Sequence, residues 1–292
     1  MGTPELGSLA DYEILNVVDR GGISTVYRAV QRSRNRVVAL KEVRASADMM
    51  AEKLARFRTA AEVVAARIHH PSFVEVYEIC EEPDRLCLVL EYVNGGTLAK
   101  HIGGRPRTAA EAARAVSALA MAVQYAHDQG VIHRDLKPAN VLLGRDGVLK
   151  ITDYDLVREL YAGSRLTVCG MILGTPAYMA PELAEARLMD GPATDVYGLG
   201  AILYEMLTGR PPFWADTPFE TVRQVQEGPA PPAPRALVPE LDPELEALCL
   251  RCLERDPQAR FPSAGDLAVA LERFRADEPV GSGASAAGIP RS

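Results

Sequence analysis

One stretch constrains this chain more than any other: His133-Arg134-Asp135-Leu136-Lys137-Pro138-Ala139-Asn140. It follows an apolar run of helical character and leads into two short apolar runs, so it reads as a loop between elements. Within six residues it offers a carboxylate that can accept a proton (Asp135), an ammonium that can hold an anion (Lys137) and an amide oxygen suited to a hard cation (Asn140). Val141-Leu142-Leu143 and Val148-Leu149-Lys150-Ile151 have strand character, and Gly144-Arg145-Asp146-Gly147 between them supplies turn residues. Such a hairpin returns its ends to one mouth, which places Asn140 beside Asp153. An amide oxygen next to a carboxylate suits Mg²⁺, which prefers oxygen ligands and commonly bridges protein to phosphate. Alone, the pair would read as the polar ends of a surface hairpin.

The motifs around this stretch carry a resemblance. His133 to Asn140 matches the H-R-D-L-x-x-x-N catalytic loop of the protein kinases, Asp153-Tyr154-Asp155 stands where that family has D-F-G, and Ala180-Pro181-Glu182 matches A-P-E. Val38-Ala39-Leu40-Lys41 is similar to the V-A-I-K strand. The order and spacing agree from about Asp11 to about Arg275, nearly the whole chain, and the chain most resembles the bacterial, eukaryotic-like serine/threonine kinases.

The resemblance implies a bilobal α+β fold. A small, mostly β lobe would span about 11–93 and a large, mostly α lobe about 94–275. Residues 1–10 would be an N-terminal extension and 276–292 a flexible tail or a linker cut short, since that end is rich in Gly, Ser, Ala and Pro without periodicity. It also implies roles. Asp135 would accept or orient the substrate hydroxyl proton, Lys137 would steady the γ-phosphate of ATP, and Asn140 and Asp153 would hold Mg²⁺. Lys41 would hold the α- and β-phosphates. The nucleotide slot would be lined by Val18, Gly21, Gly22, Val26 and Ala39, with Leu90 as gatekeeper and the backbone of Glu91 to Val93 meeting the adenine edge. Asp195 would anchor the catalytic loop, and Arg260 would pair with Glu182.

The chain also departs from the family. Asp19-Arg20-Gly21-Gly22-Ile23-Ser24-Thr25-Val26 keeps only the middle glycine of the phosphate flap, where glycines let backbone N–H groups approach phosphate. The helical run Met49 to His69 places Ala61 where the family carries the glutamate that pairs with the strand lysine. Glu62 lies one residue on, about 100° around a helix. Either the helix is locally irregular and Glu62 serves, or the pair is absent. Asp155 replaces the glycine of D-F-G. Between Asp153 and Glu182, Thr167 is the first candidate for a regulatory phosphate gripped by Arg134, and Ser164 the second.

The favoured function is transfer of the ATP γ-phosphoryl group to a protein serine or threonine, with autophosphorylation of the activation segment. The alternative is a pseudokinase acting as a nucleotide-binding scaffold or switch. A kinase of small molecules fits less well, because Gly174 to Glu182 resembles the segment that receives a peptide.

Composition narrows the partners. A net charge of −7 argues against a dedicated nucleic-acid binder. No run reaches the roughly 18 apolar residues of a membrane span, and no leader is evident at Met1 to Ala10. Five cysteines do not read as a disulfide framework, so the cytoplasm is the expected location, with tethering of a longer parent left open. Cys249-Leu250-Arg251-Cys252 lies in a helix-like run without a second pair and reads as packing.

Overall fold

A computed structural model describes residues 9–21, 24–44, 51–82, 85–154, 167–168, 171–172, 175–185 and 191–277. Alternating apolar residues broken by Gly21 and by the polar turn after Gln31 give three strands: β1 (Tyr12–Arg20), β2 (Ser24–Gln31) and β3 (Arg36–Arg44). Helix α1 (Ala51–Arg67) follows, then β4 (Val76–Glu82) and β5 (Arg85–Glu91). These strands form one five-stranded antiparallel sheet in the order β1-β2-β3-β5-β4.

Strand periodicity divides that sheet into two faces. Val43, Leu86, Leu88 and Leu90 bury themselves against Phe57 and Ala61 of α1. Val38, Leu40, Cys80, Cys87 and Val89 face the other way, under Tyr12, Tyr27 and Tyr77. Ala39 and Lys41, two residues apart, therefore share the inner face of β3.

After Glu91 the chain turns helical. Thr97 caps α2 (Leu98–Ile102). Thr108 and Glu111 form a capping box at the start of α3 (Ala109–Asp128), which satisfies two backbone donors reciprocally. The short hairpin β6 (Val141–Leu143) and β7 (Leu149–Ile151) follows, turning where Gly144 N–H donates to Val148 O at 2.8 Å. A second two-stranded ribbon pairs β8 (Thr167–Val168) with β9 (Met171–Ile172). Among the described residues, the remaining α-helices are α4 (Pro181–Ala184), α5 (Pro192–Thr208), α6 (Pro218–Glu227), α7 (Pro243–Cys252) and α8 (Ala264–Asp277).

Helix α5 is the axis of this second region. Every residue from Thr194 to Leu207 is buried, and α3, α7 and α8 pack around it. Two of its glycines exist for close approach. A Cβ at Gly198 would stand 2.7 Å from Leu136 Cβ in the catalytic loop, and one at Gly200 would stand 2.3 Å from Cys252 Cβ in α7. Cys249 Sγ lies 3.7 Å from Gly200 O, and burial pushes the Cys252 thiol up to about 12. Neither sulfur is a ready thiolate, in keeping with a packing role for the C-x-x-C pair. Among the described residues, no helix is long and apolar enough to cross a membrane.

Candidate active site

The catalytic loop is built from its backbone outward. Asp195 of α5 is 1% exposed, and its carboxylate accepts the N–H of Arg134 at 2.7 Å and of His133 at 2.8 Å. His127 Nε2 at the end of α3 lies 2.7 Å from the same carboxylate. Burial alone would raise the Asp195 carboxyl. The hydrogen bond and charge of His127, with the backbone donor from His133, hold it below the usual range instead. This anchor fixes Arg134 at φ +67°, a left-handed conformation costly for a side chain with a Cβ.

The chain then presents its polar groups together. Lys137 Nζ donates to both oxygens of Asp135, at 2.9 and 2.7 Å. Asn140 Nδ2 donates to the Asp135 carbonyl and to its Oδ2, each at 2.8 Å. With its nitrogen so engaged, the Asn140 amide has its oxygen left to meet a cation. Thr152 N–H donates to Asn140 O at 2.9 Å, and Val141 is in register with Ile151, so the hairpin does return Asn140 to the neighbourhood of Asp153.

Asp153 sits at φ +62° and accepts from Lys41 Nζ at 2.9 Å. Burial raises its carboxyl, and the Lys41 charge and hydrogen bond overcome that, leaving it below the ordinary value. Tyr154 is buried. Its ring stacks on Phe73 with centroids 5.5 Å apart and packs on His133 at 5.0 Å, tying the loop to the segment between α1 and β4.

Above this polar floor lies an apolar slot. Ala39 is in register with Leu90, and Val26 with Lys41. Ala39, Val93 and Leu142 pack against the cluster that contains Leu90. Val18 falls where the β1–β2 register slips, and it is 49% exposed. Gly21 N–H donates to Ser24 O at 2.8 Å, while Gly22 lies outside the described residues. The Glu91 side chain is turned away, accepting from Lys150 Nζ at 3.0 Å and leaving only backbone for a ligand edge.

Residues 12–268 match the protein kinase domain family. This chain belongs to the protein kinases. The kinase domain is 37% identical over 288 residues to a probable serine/threonine-protein kinase of Streptomyces coelicolor, covering 95% of this chain and 42% of that relative. It is 33% identical to serine/threonine-protein kinase PknB of Mycobacterium leprae, covering 96% of this chain and 48% of the other. With PknB of Mycolicibacterium smegmatis the identity is 36%, over 94% and 44% of the two chains. The chain thus spans less than half the length of these curated relatives. The sheet-rich first region and the helical second region are the two lobes of the bilobal kinase fold.

Within that frame, Glu62 does not meet Lys41. It forms an ion pair with Arg58 of its own helix at 2.8 Å, and Ala61 faces inward at 1% exposure. The physical reason is the helix period: one residue of offset turns a side chain through about 100°, and α1 has no irregularity there. Thr167 lies in the β8–β9 ribbon, opposite Ile172. Ser164 and Asp155 lie outside the described residues. Two contributors escape motif reading, Leu142 on the slot and His127 behind the loop. A polar residue closing the apolar run of α3 was the available signal for His127.

Proposed function

We propose that this kinase domain transfers the γ-phosphoryl group of ATP to serine or threonine hydroxyls of protein substrates. The reading rests on one observation. Asp135, Lys137 and Asn140 form a single hydrogen-bonded group at the end of a hairpin whose other end carries Asp153, itself bonded to Lys41. Phosphoryl transfer asks a protein mainly for positioning and charge neutralisation, and this group offers both.

Asp135 accepts the hydroxyl proton as the acceptor oxygen attacks. Lys137, within reach of both Asp135 oxygens, balances charge on the transferred phosphoryl group and keeps the carboxylate oriented. Asn140 and Asp153 hold Mg²⁺ through oxygen, and Lys41 holds the α- and β-phosphates. Bound Mg²⁺ supplies neutralisation of the phosphate oxygens. Val18, Val26, Ala39, Leu90, Val93 and Leu142 bury the base, with the backbone of Glu91 to Val93 along its edge and Gly21-Gly22 over the phosphates. A lysine two residues after the catalytic aspartate supports serine/threonine over tyrosine acceptors.

Arg134 grips a phosphate on Thr167, with Ser164 as second site, after autophosphorylation. The lobes run about 11–93 and 94–275, and the domain works in the cytoplasm, on its own or as part of a longer protein. A nucleotide-binding scaffold would use Lys41, Asn140 and Asp153, but it would have no use for the proton acceptor Asp135 held beside them. Replacement of Lys41 by Met tests the assignment. Phosphate incorporation should fall to background, with a Km for ATP too high to measure, while the melting temperature without nucleotide is kept. Full activity in that variant would remove Lys41 from the site.

A further inference from the structure

Among the described side chains of helix α1, none presents a charge to the lysine that the proposed function assigns to the nucleotide. Ala61, Phe57 and Val64 of α1 line the same cavity of about 30 Å³ as Lys41 and Asp153. The one nearby acid on this part of the helix, Glu62, is 39% exposed in its side chain and bonded to Arg58. Lys41 is only 12% exposed, and its carboxylate partner among the described residues is Asp153.

In protein kinases generally, an ion pair between the strand lysine and the helix glutamate makes lysine position depend on helix position. A methyl group cannot transmit that dependence. We propose that in this kinase Asp153 alone positions Lys41, so that the geometry of the nucleotide lysine is set by the strand pair β6–β7 and its following residues, uncoupled from helix α1. Asp153 is then a shared point of control. It holds the lysine before nucleotide arrives and turns to the cation afterwards, and Glu62 takes no part in either step.

This rests on the assignment of Lys41 as the nucleotide lysine, but its test does not require turnover. The full chain, freed of metal and nucleotide, is exposed to trace acetylation by an N-hydroxysuccinimide ester. Labelling of Lys41 is measured by mass spectrometry against exposed Lys100. Parent, Glu62→Gln and Asp153→Asn are compared, each checked for fold by circular dichroism. Glu62→Gln should label Lys41 within twofold of the parent. Asp153→Asn should label it several-fold faster, because the amine is released from its carboxylate. Equal acceleration in Glu62→Gln, or none in Asp153→Asn, overturns the proposal. Should Asp153→Asn not fold, the proposal stands or falls on Glu62→Gln, in which faster Lys41 labelling or a raised Km for ATP contradicts it. If labelling follows the expectation but the parent transfers no phosphate, the kinase reading fails and the lysine assignment of its partner survives.

Discussion

Asp195 Oδ1 accepts the backbone N–H of Arg134 at 2.7 Å, so a side chain on the buried helix α5 holds the residue just before Asp135 in a strained conformation. Its other oxygen accepts the backbone N–H of His133 at 2.8 Å. Asp195→Ala strands both donors in a buried place, and each costs about 1–3 kcal/mol when left unsatisfied. Urea unfolding should show that loss. Phosphate transfer should fall further than stability does at a temperature where the variant remains folded, because Asp135 loses its fixed position. A variant destabilised yet fully active would separate the anchor from catalysis.

The Arg260 guanidinium meets Glu182 through two parallel bonds, at 2.7 and 2.8 Å, with both residues buried. Removing one partner of such a pair leaves an uncompensated charge, so Glu182→Gln should cost about 3–5 kcal/mol. Burial raises the Glu182 carboxyl, and the Arg260 hydrogen bond and charge more than reverse this, so its folded value lies below the ordinary 4.5. A depressed carboxyl stabilises the fold above its unfolded value and loses that contribution as pH falls through its folded value. Melting temperature should therefore drop as pH falls below about 4.5, and the drop should be shallower in Glu182→Gln.

Much of this site is legible in the sequence because its parts are local. Asp135, Lys137 and Asn140 lie within one loop, and turn residues at Gly144 and Gly147 announce the hairpin that brings Asp153 alongside. Apolar periodicity likewise places the strands of the small lobe and the helices of the large one. Ala61 and Glu62 show where reading stops. Adjacent helix positions face different ways, and choosing between them needs the helix's rotation against the sheet, together with the competing partner Arg58 one turn earlier. Leu142 is hidden for a related reason, since its role depends on the large lobe meeting Ala39 and Val93 across the slot.

Gly198 carries the catalytic loop on its bare backbone. An alanine there would place its Cβ 2.7 Å from Leu136 Cβ and 3.2 Å from Leu136 O. Overpacking of this kind costs about 1–3 kcal/mol, and here the element that must yield contains Asp135. Gly198→Ala should remain folded at low temperature, with kcat falling while the Km for ATP changes little, as steady-state kinetics would show. Loss of nucleotide binding instead would place the strain in the slot.

Ala39 leaves room for a flat base beside Leu90, Val93 and Leu142. Ala39→Phe should fill that room from an inner strand face. Binding of a fluorescent ATP analogue should be lost, with the melting temperature in the absence of nucleotide close to that of the parent. Unchanged binding would mean that the base lies elsewhere.

The most direct measurement is incorporation of labelled phosphate from ATP and Mg²⁺, into the protein itself and into a generic basic protein substrate, in parent and Asp135→Asn. A lost general base costs about 10²–10⁴-fold. The parent should incorporate phosphate on serine or threonine, Thr167 among the sites, and Asp135→Asn should fall by about that factor while binding ATP as before. Equal incorporation in both, or none in a parent that binds ATP, would contradict the account.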